Sequence, residues 1–309
     1  MAGDFDGDGG MDLFVTFEHD HQLRGRILWG NHTDTVHQLL CWDGLQADYQ
    51  LEMLLVNEPL VFDYNYDYIS DLLVVTEEGA RVVYVFSDDR SQGYRQVELE
   101  PDKTRDKLKR AHANAHVDLN EDGLPDLLLT TQSGLEMYER RSKEGNNSFI
   151  YHKQVPWPSE VTRGSCSVDL CVGQAVLTDF DLSGGLDIIL PVCYDRSCKV
   201  SKIYLVPLQS LWKAKTWDWT PLPLEFEDYH FYPPANPDDG HLLRLLAPRV
   251  GDINLDGFPD LLITMQKDGG EPQTQLLLNT ECASTADCHD FRKFQLRPEF
   301  TKGKQDLIE

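Results

Sequence analysis

No apolar run in the chain approaches the length of a membrane span, about 20 residues, so no segment reads as a transmembrane helix. Basic residues are scarce: 28 Lys and Arg stand against 52 Asp and Glu, a formal net charge of −24. That balance excludes nucleic acid and anionic membrane as partners, because like charges repel. It also opposes folding unless bound cations offset part of it. The signatures of nucleophilic, zinc-hydrolytic and phosphate-binding sites are missing: there is no G-x-S-x-G, no H-E-x-x-H and no phosphate-cradling glycine loop. A secretory leader is not seen either. Met1 stands directly before an acidic loop, so the sequence reads as one that starts in mid-domain. Long helices are hard to place, since alternation and short β-branched runs dominate. With 41% hydrophobic residues over 309 positions the chain is nonetheless globular.

What is present is an acidic repeat. The opening stretch GDFDGDGGMD crowds Asp4, Asp6, Asp8 and Asp12 into one loop. Unpaired carboxylates so close together repel. Either the loop is a solvated tip or a cation sits in its middle. The motif returns as DYNYDYISD (63–71), DLNEDGLPD (118–126), DFDLSGGLD (179–187) and DINLDGFPD (252–260), with starts 55 to 73 residues apart. Each copy runs directly into an apolar stretch: LFVTF, LLVVT, LLLTT, IILPV or LLITM. Oxygen-bearing residues fill positions 1, 3, 5 and 9 in all five copies. They are Asp4, Asp6, Asp8 and Asp12; Asp63, Asn65, Asp67 and Asp71; Asp118, Asn120, Asp122 and Asp126; Asp179, Asp181, Ser183 and Asp187; and Asp252, Asn254, Asp256 and Asp260. Position 7 can add a backbone carbonyl, from Gly10, Leu124, Gly185 or Phe258.

A hard cation wanting six to eight oxygens from a flexible loop fits this spacing, so up to five structural Ca²⁺ sites are expected. The EF-hand reading fails, because no glutamate stands at position 12 and strand-like sequence follows. Asp/Asn/Gly loops are also ordinary turns, but recurrence in five places argues for the metal. The copies are unequal. Tyr68 replaces the turn glycine of the second, where a positive φ strains a tyrosine, so the 63–71 site is expected to be the weakest. Ser183 is a neutral and poorer ligand than a carboxylate.

The spacing leaves room for about four strands per unit. Further strand-like stretches are GRILWGN, RVVYVFS, GLEMYER, SKIYLVPL and TQLLLNT behind the apolar runs. YRQVELE, SFIYHKQV and FRKFQLR follow these, and AHANAHV and GQAVLT precede loops. An all-β fold follows, with the acidic loop joining the first two strands of each unit. Period, turn chemistry and strand count match a β-propeller blade.

Six of the seven cysteines fall in local pairs, Cys166 with Cys171, Cys193 with Cys198 and Cys282 with Cys288, leaving Cys41 over. Such pairs read as hairpin staples in an oxidising compartment. Zinc is the rival, and no second half-site fits it well. The sequons at Asn31 and Asn146 agree with export.

The loop-then-strand unit resembles the FG-GAP repeat, which builds the seven-bladed propeller of integrin α subunits with calcium in such loops. Over roughly residues 2–300, the strings GDFDGDGGMDLFVTF, ILWGN, VCYDRSCKVSKIYLV and GDINLDGFPDLLI, with the cysteine pair in NTECASTADC, resemble the T-cell immunomodulatory protein (linkin) family. The resemblance implies a single FG-GAP β-propeller over 1–309, with five of about seven blades present, so the chain reads as a fragment. It implies a non-enzymatic adhesion or immune-modulating module with a protein partner at the cell surface. It also implies a full-length glycoprotein with a signal peptide, one membrane span and a short tail. The alternative is a propeller attached to a carbohydrate- or lipid-active enzyme.

Lesser motifs are read conservatively. His112 and His116 lie on a strand, and His19 and His21 in a loop. Trp212, Trp217 and Trp219 are packing aromatics on an outer strand. YHFYPPANPDDG (229–240) is a long exposed loop and a candidate partner surface, and TKGKQDLIE is a frayed end.

Overall fold

The computed structural model describes residues 1–20, 22–30, 52–100, 105–109, 113–143, 146–162, 166–222, 228–235, 246–282 and 292–297. They form five antiparallel sheets. Sheet I holds β1 (Ala2–Gly3), β2 (Asp12–His19), β3 (Gln22–Leu28) and β4 (Glu52–Leu55) in chain order. Sheet II holds β5 (Leu60–Phe62), β6 (Asp71–Val75), β7 (Arg81–Val85) and β8 (Arg95–Glu98). In sheet III β9 (Ala115–Val117), β10 (Asp126–Thr130), β11 (Gly134–Lys143) and β12 (Asn146–Pro156) repeat the pattern. In sheet IV, after the short helices α1 (Ser159–Thr162) and α2 (Val168–Cys171), come β13 (Val176–Thr178), β14 (Asp187–Cys193), β15 (Ser201–Pro207) and, past α3 (Leu208–Lys213), β16 (Pro221–Leu222). The acidic loop joins the first strand to the second in all four, as the repeat predicts.

Sheet V varies the plan. Its long strand β19 (Asp260–Lys267) pairs with β20 (Gln273–Glu281), which pairs with β21 (Arg292–Leu296). On the other edge two short segments share β19: β18 (Arg249–Gly251) pairs with its first half and β17 (Tyr229–Phe231) with its second. The first three residues of YHFYPPANPDDG are therefore a strand, with Phe231 fully buried, rather than the start of an exposed loop. Residues 236–240 of that stretch lie outside the described residues.

The sheets stack face to face in chain order. Alternate residues of each inner strand serve opposite cores, as the two-residue strand period requires. Leu72 and Val74 of β6 pack with sheet I, while Leu73 and Val75 pack with sheet III. Leu127 and Leu129 of β10 share a core with sheet II, and Leu128 one with sheet IV. Ile188, Leu190 and Val192 of β14 face sheet III, and Ile189 and Cys193 face sheet V. Two-sided burial is why β6, β10 and β14 are apolar without interruption. Ala2 of β1 and Leu60 and Val61 of β5, with Asn114 ahead of β9 and Gln174 ahead of β13, line a cavity of about 440 Å³.

Two of the expected disulfides are formed, Cys166–Cys171 and Cys193–Cys198, with Cα separations of 5.8 and 4.9 Å. Both lie in the core between sheets IV and V. The second closes the β14–β15 hairpin as expected; the first spans the short helix α2, from ahead of its start to its last residue, instead of a hairpin. Disulfide sulfurs cannot act as thiolate ligands, which removes zinc at these four positions. Cys282 is also disulfide-bonded, and Cys288 and Cys41 lie outside the described residues.

The tryptophans pack, as expected, but not from one strand. Trp212 sits on α3, its ring stacked on His152 at 3.9 Å, and Trp219 meets Tyr204 and Trp157. His116 is on β9 between Phe62 and Phe149; burial lowers its basicity. His19 ends β2 rather than lying in a loop, and pairs with Asp20. Asn146 opens β12 opposite Lys143. Asn31, His21, His112 and residues 301–309 lie outside the described residues.

Candidate metal-binding loops

The five loops share one backbone. Position 1 folds each loop around its own carboxylate. Asp4 accepts N–H bonds from Gly7 and Gly9 at 2.7 and 2.9 Å, and Asp63 from Tyr66 and Tyr68 at 2.6 and 2.9 Å. Asp118, Asp179 and Asp252 each accept from positions 5 and 6. Position 5 accepts the N–H of position 7: Asp8 from Gly10, Asp67 from Ile69, Asp122 from Leu124, Asp256 from Phe258 and, at 3.4 Å, Ser183 from Gly185. Such local acceptance is what makes Asp and Asn turn residues.

Two left-handed residues complete the turn. Position 6 is Gly9, Gly123, Gly184 or Gly257, with φ between 80 and 91°, and Tyr68 takes the same region at 70°. Its side chain is 91% exposed, so packing gives nothing back for that strain. Position 4 is left-handed too, at Gly7, Tyr66, Glu121, Leu182 and Leu255. The sequence does not announce this, because only one of the five is glycine.

Position 9 stands apart from the others. Asp12, Asp71, Asp126 and Asp260 open the second strand of their sheets and are completely buried, and Asp187 nearly so. One oxygen accepts the N–H of position 2, from Phe5, Tyr64, Leu119, Phe180 or Ile253 at 2.8 to 3.1 Å. The other, in four loops, accepts an N–H from the third strand or just past it: Gly30, Phe86, Arg140 or Asn279, at 2.7 to 2.9 Å. The ninth aspartate thus locks loop, second strand and third strand together, a role the sequence reading did not assign. Burial outweighs these neutral donors and lifts the carboxyl of Asp12 to about 6, of Asp71 to about 7 and of Asp126 to about 6.

Candidate ligand oxygens do come together. Asp4, Asp6 and Asp8 hold oxygens within 4.8 Å of one another, as do Asp179, Asp181 and Asp187. In loops 2, 3 and 5 the Asn amide at position 3 donates to the position 5 carboxylate, at 2.8 to 3.0 Å. Desolvation raises Asp63, and it raises Asp6 despite the Arg90 guanidinium beside it. All these donors are hard oxygens, which suits calcium or magnesium rather than a soft metal.

Loops 1 to 4 are also held by residues of the next sheet, and loop 5 by its own. Ser70 bonds the Asp4 backbone in both directions, and Phe5 meets Phe86 edge-on at 5.5 Å. Arg140 of β11 lies 3.0 Å over the Tyr66 ring of loop 2. Gln209 of α3 reaches Glu121 of loop 3, and Asn279 of β20 donates to the Phe180 carbonyl of loop 4. In loop 5 Arg292 of β21 stacks on Phe258 at 3.3 Å.

No family model matches the chain. Its likeness to T-cell immunomodulatory proteins holds across nearly its whole length: it is 27% identical to the mouse T-cell immunomodulatory protein over 303 residues, 95% of this chain and 45% of that protein. It is 22% identical to protein linkin of Caenorhabditis elegans over 96% of this chain and 47% of linkin. The chain thus spans about half the length of these relatives. Among solved structures, the V. cholerae biofilm matrix protein Bap1 aligns with a TM-score of 0.36 and 13% identity, over 67% of this chain and 36% of Bap1, too loose a likeness to carry an argument about the fold.

Proposed function

We propose that the chain is a run of five blades of a calcium-stabilised β-propeller, a non-enzymatic extracellular module that binds a protein partner. The observation that carries this reading is the recurrence of one acidic loop, left-handed at the same two positions and sharing the hydrogen bonds of positions 5 and 9, at the same place in five stacked sheets. Stacking of the sheets in chain order supports the propeller arrangement. The relatives' names support an immune-modulating role, and the disulfides an exported protein. Within a longer protein the module would stand on the outer side of a cell membrane; no helix among the described residues is long and apolar enough to cross one.

Bound calcium would supply charge compensation and nothing covalent. Asp4, Asp6 and Asp8, and their counterparts in the other loops, would hold it. The carboxylates at positions 1, 3 and 5 would otherwise repel, and the ninth aspartate passes the order of the loop into two strands. Each filled site stabilises by about 2.7 kcal/mol at a hundredfold excess over Kd. Extracellular modules of this kind bind at roughly 10⁻⁴–10⁻³ M. Thermal melting in millimolar calcium and in EGTA tests the reading. A midpoint several degrees higher with calcium is expected; equal midpoints would end the structural-metal claim.

A further inference from the structure

The first loop already contains a cation of the protein's own. Arg90, from the segment that follows β7 of sheet II, sends its guanidinium into loop 1 of sheet I. Its Nε pairs with Asp6, and an Nη donates to Asp8 at 3.2 Å. These are positions 3 and 5, the oxygens a divalent ion would need. The guanidinium also lies 4.7 Å over the Trp29 ring. Elsewhere the arginines nearest the loops stack on rings instead, Arg140 on Tyr66 and Arg292 on Phe258.

Arg90 is held there by its own segment. Residues Arg90–Gln92 form a single 3₁₀ turn. Asp89 caps it, taking the Ser91 N–H at 2.9 Å and hydroxyl at 2.6 Å on one oxygen and the Gln92 amide at 2.9 Å on the other. Gly93 ends it at φ 65°. The turn borders the loop directly: a side chain at Gly7 would come within 4.0 Å of Asp88. Asp6 is buried while Arg90 is about one-third exposed, so the pair is partly shielded and stronger than a fully solvated one.

We propose that Arg90 is an internal competitor for calcium at loop 1, lowering the affinity of that site and coupling its filling to the position of the 88–93 turn. The inference rests on the calcium reading above. A divalent ion and a guanidinium cannot use the same oxygens of Asp6 and Asp8 together. Without calcium, Arg90 neutralises the loop and stabilises the fold. With calcium, it has to withdraw, and its removal costs the protein nothing at that site.

Arg90 is a positioning and tuning residue, so the test needs a readout that a merely structural contact would not move. Terbium substitutes for calcium, and its emission excited through tryptophan reports loop 1 by way of Trp29; Trp29→Phe identifies that part of the signal. In Arg90→Gln the half-saturating terbium concentration for this signal should fall by roughly three- to tenfold, with Arg90→Lys in between. Melting should change in opposite senses: Arg90→Gln lowers the midpoint in EGTA and leaves it equal or higher in calcium. The same half-saturation in wild type and Arg90→Gln, with the Trp29 signal present, would overturn the inference and leave the calcium reading standing. A wild-type protein with no terbium signal and no calcium-dependent melting would remove both.

Discussion

The root and the tip of each acidic loop are built from the same residue type in opposite surroundings. At the root Asp126 is buried, lies at the start of β10, and accepts N–H bonds from Leu119 and Arg140. At the tip Asp122, four residues away, faces solvent and bonds only within its own loop. The root aspartate is part of the fold whether or not metal is bound. The tip aspartates shape the turn through local N–H bonds and concentrate charge, but Asp122 does not reach beyond its own loop. The difference teaches that a run of carboxylates is not one site with equal members; the surroundings divide the work.

Substitution at the two places should separate them most. Asp126→Ala strands two buried N–H groups, each costing about 1–3 kcal/mol, and should lower stability by about 3–5 kcal/mol in denaturant melts with or without calcium. Asp122→Ala should stay within about 0.5 kcal/mol in EGTA while losing most of the calcium-induced stabilisation of that loop. Equal losses for the two variants in EGTA would erase the distinction.

Acidity is a second probe of the same contrast. The folded-state values of about 6 for Asp12, about 7 for Asp71 and about 6 for Asp126 lie above the ordinary 3.8. The native state therefore takes up protons that the unfolded chain does not. The stability this contributes is fully present below about pH 4 and is lost as pH rises through 6 to 7. In EGTA the root carboxylates should make the protein melt a few degrees higher at pH 5 than at pH 8. Asp71→Asn should flatten that slope, and Asp122→Asn should not. A slope unchanged by Asp71→Asn would mean that the buried carboxylates are not its source.

The smallest expected effect compares two tips. Tyr68 and Gly123 hold the same left-handed place, at φ 70 and 85°. Tyr68→Gly should stabilise by about 0.5–1 kcal/mol by relieving the strain, and Gly123→Ala should destabilise by a similar amount. Both changes are readable as shifts in the urea midpoint. Destabilisation by Tyr68→Gly would show that the ring makes a contact worth more than the strain.

Much of this was legible beforehand. Oxygen-bearing residues at positions 1, 3, 5 and 9 before an apolar run marked all five loops and the strand that follows each, although Tyr68 breaks the turn glycine of the second copy. The continuous apolar runs in β6, β10 and β14 were visible, and they follow from two-sided burial. The departures came where distant parts decide. Tyr229–Phe231 reads as the start of a proline-rich loop, yet it is a strand because β19 offers it an edge. Trp212 reads as a strand residue, yet it turns on α3, where His152 of β12 receives its ring. Cys166 and Cys171 were paired correctly, but the element they span is a short helix.

What the sequence determined by itself is the local part: the nine-residue turn, its carboxylates, and the strand that follows. Hydrogen bonds that span two to seven residues and a two-residue side-chain period need no information from elsewhere. What the tertiary structure alone decided is which aspartates lose their water and which meet a cation. Asp6 meets an arginine 84 residues away, and Asp126 is sealed by a neighbouring strand. Burial and charge depend on all the matter nearby, whatever its place in the chain, so identical residues in identical motifs take different roles only once the sheets have stacked.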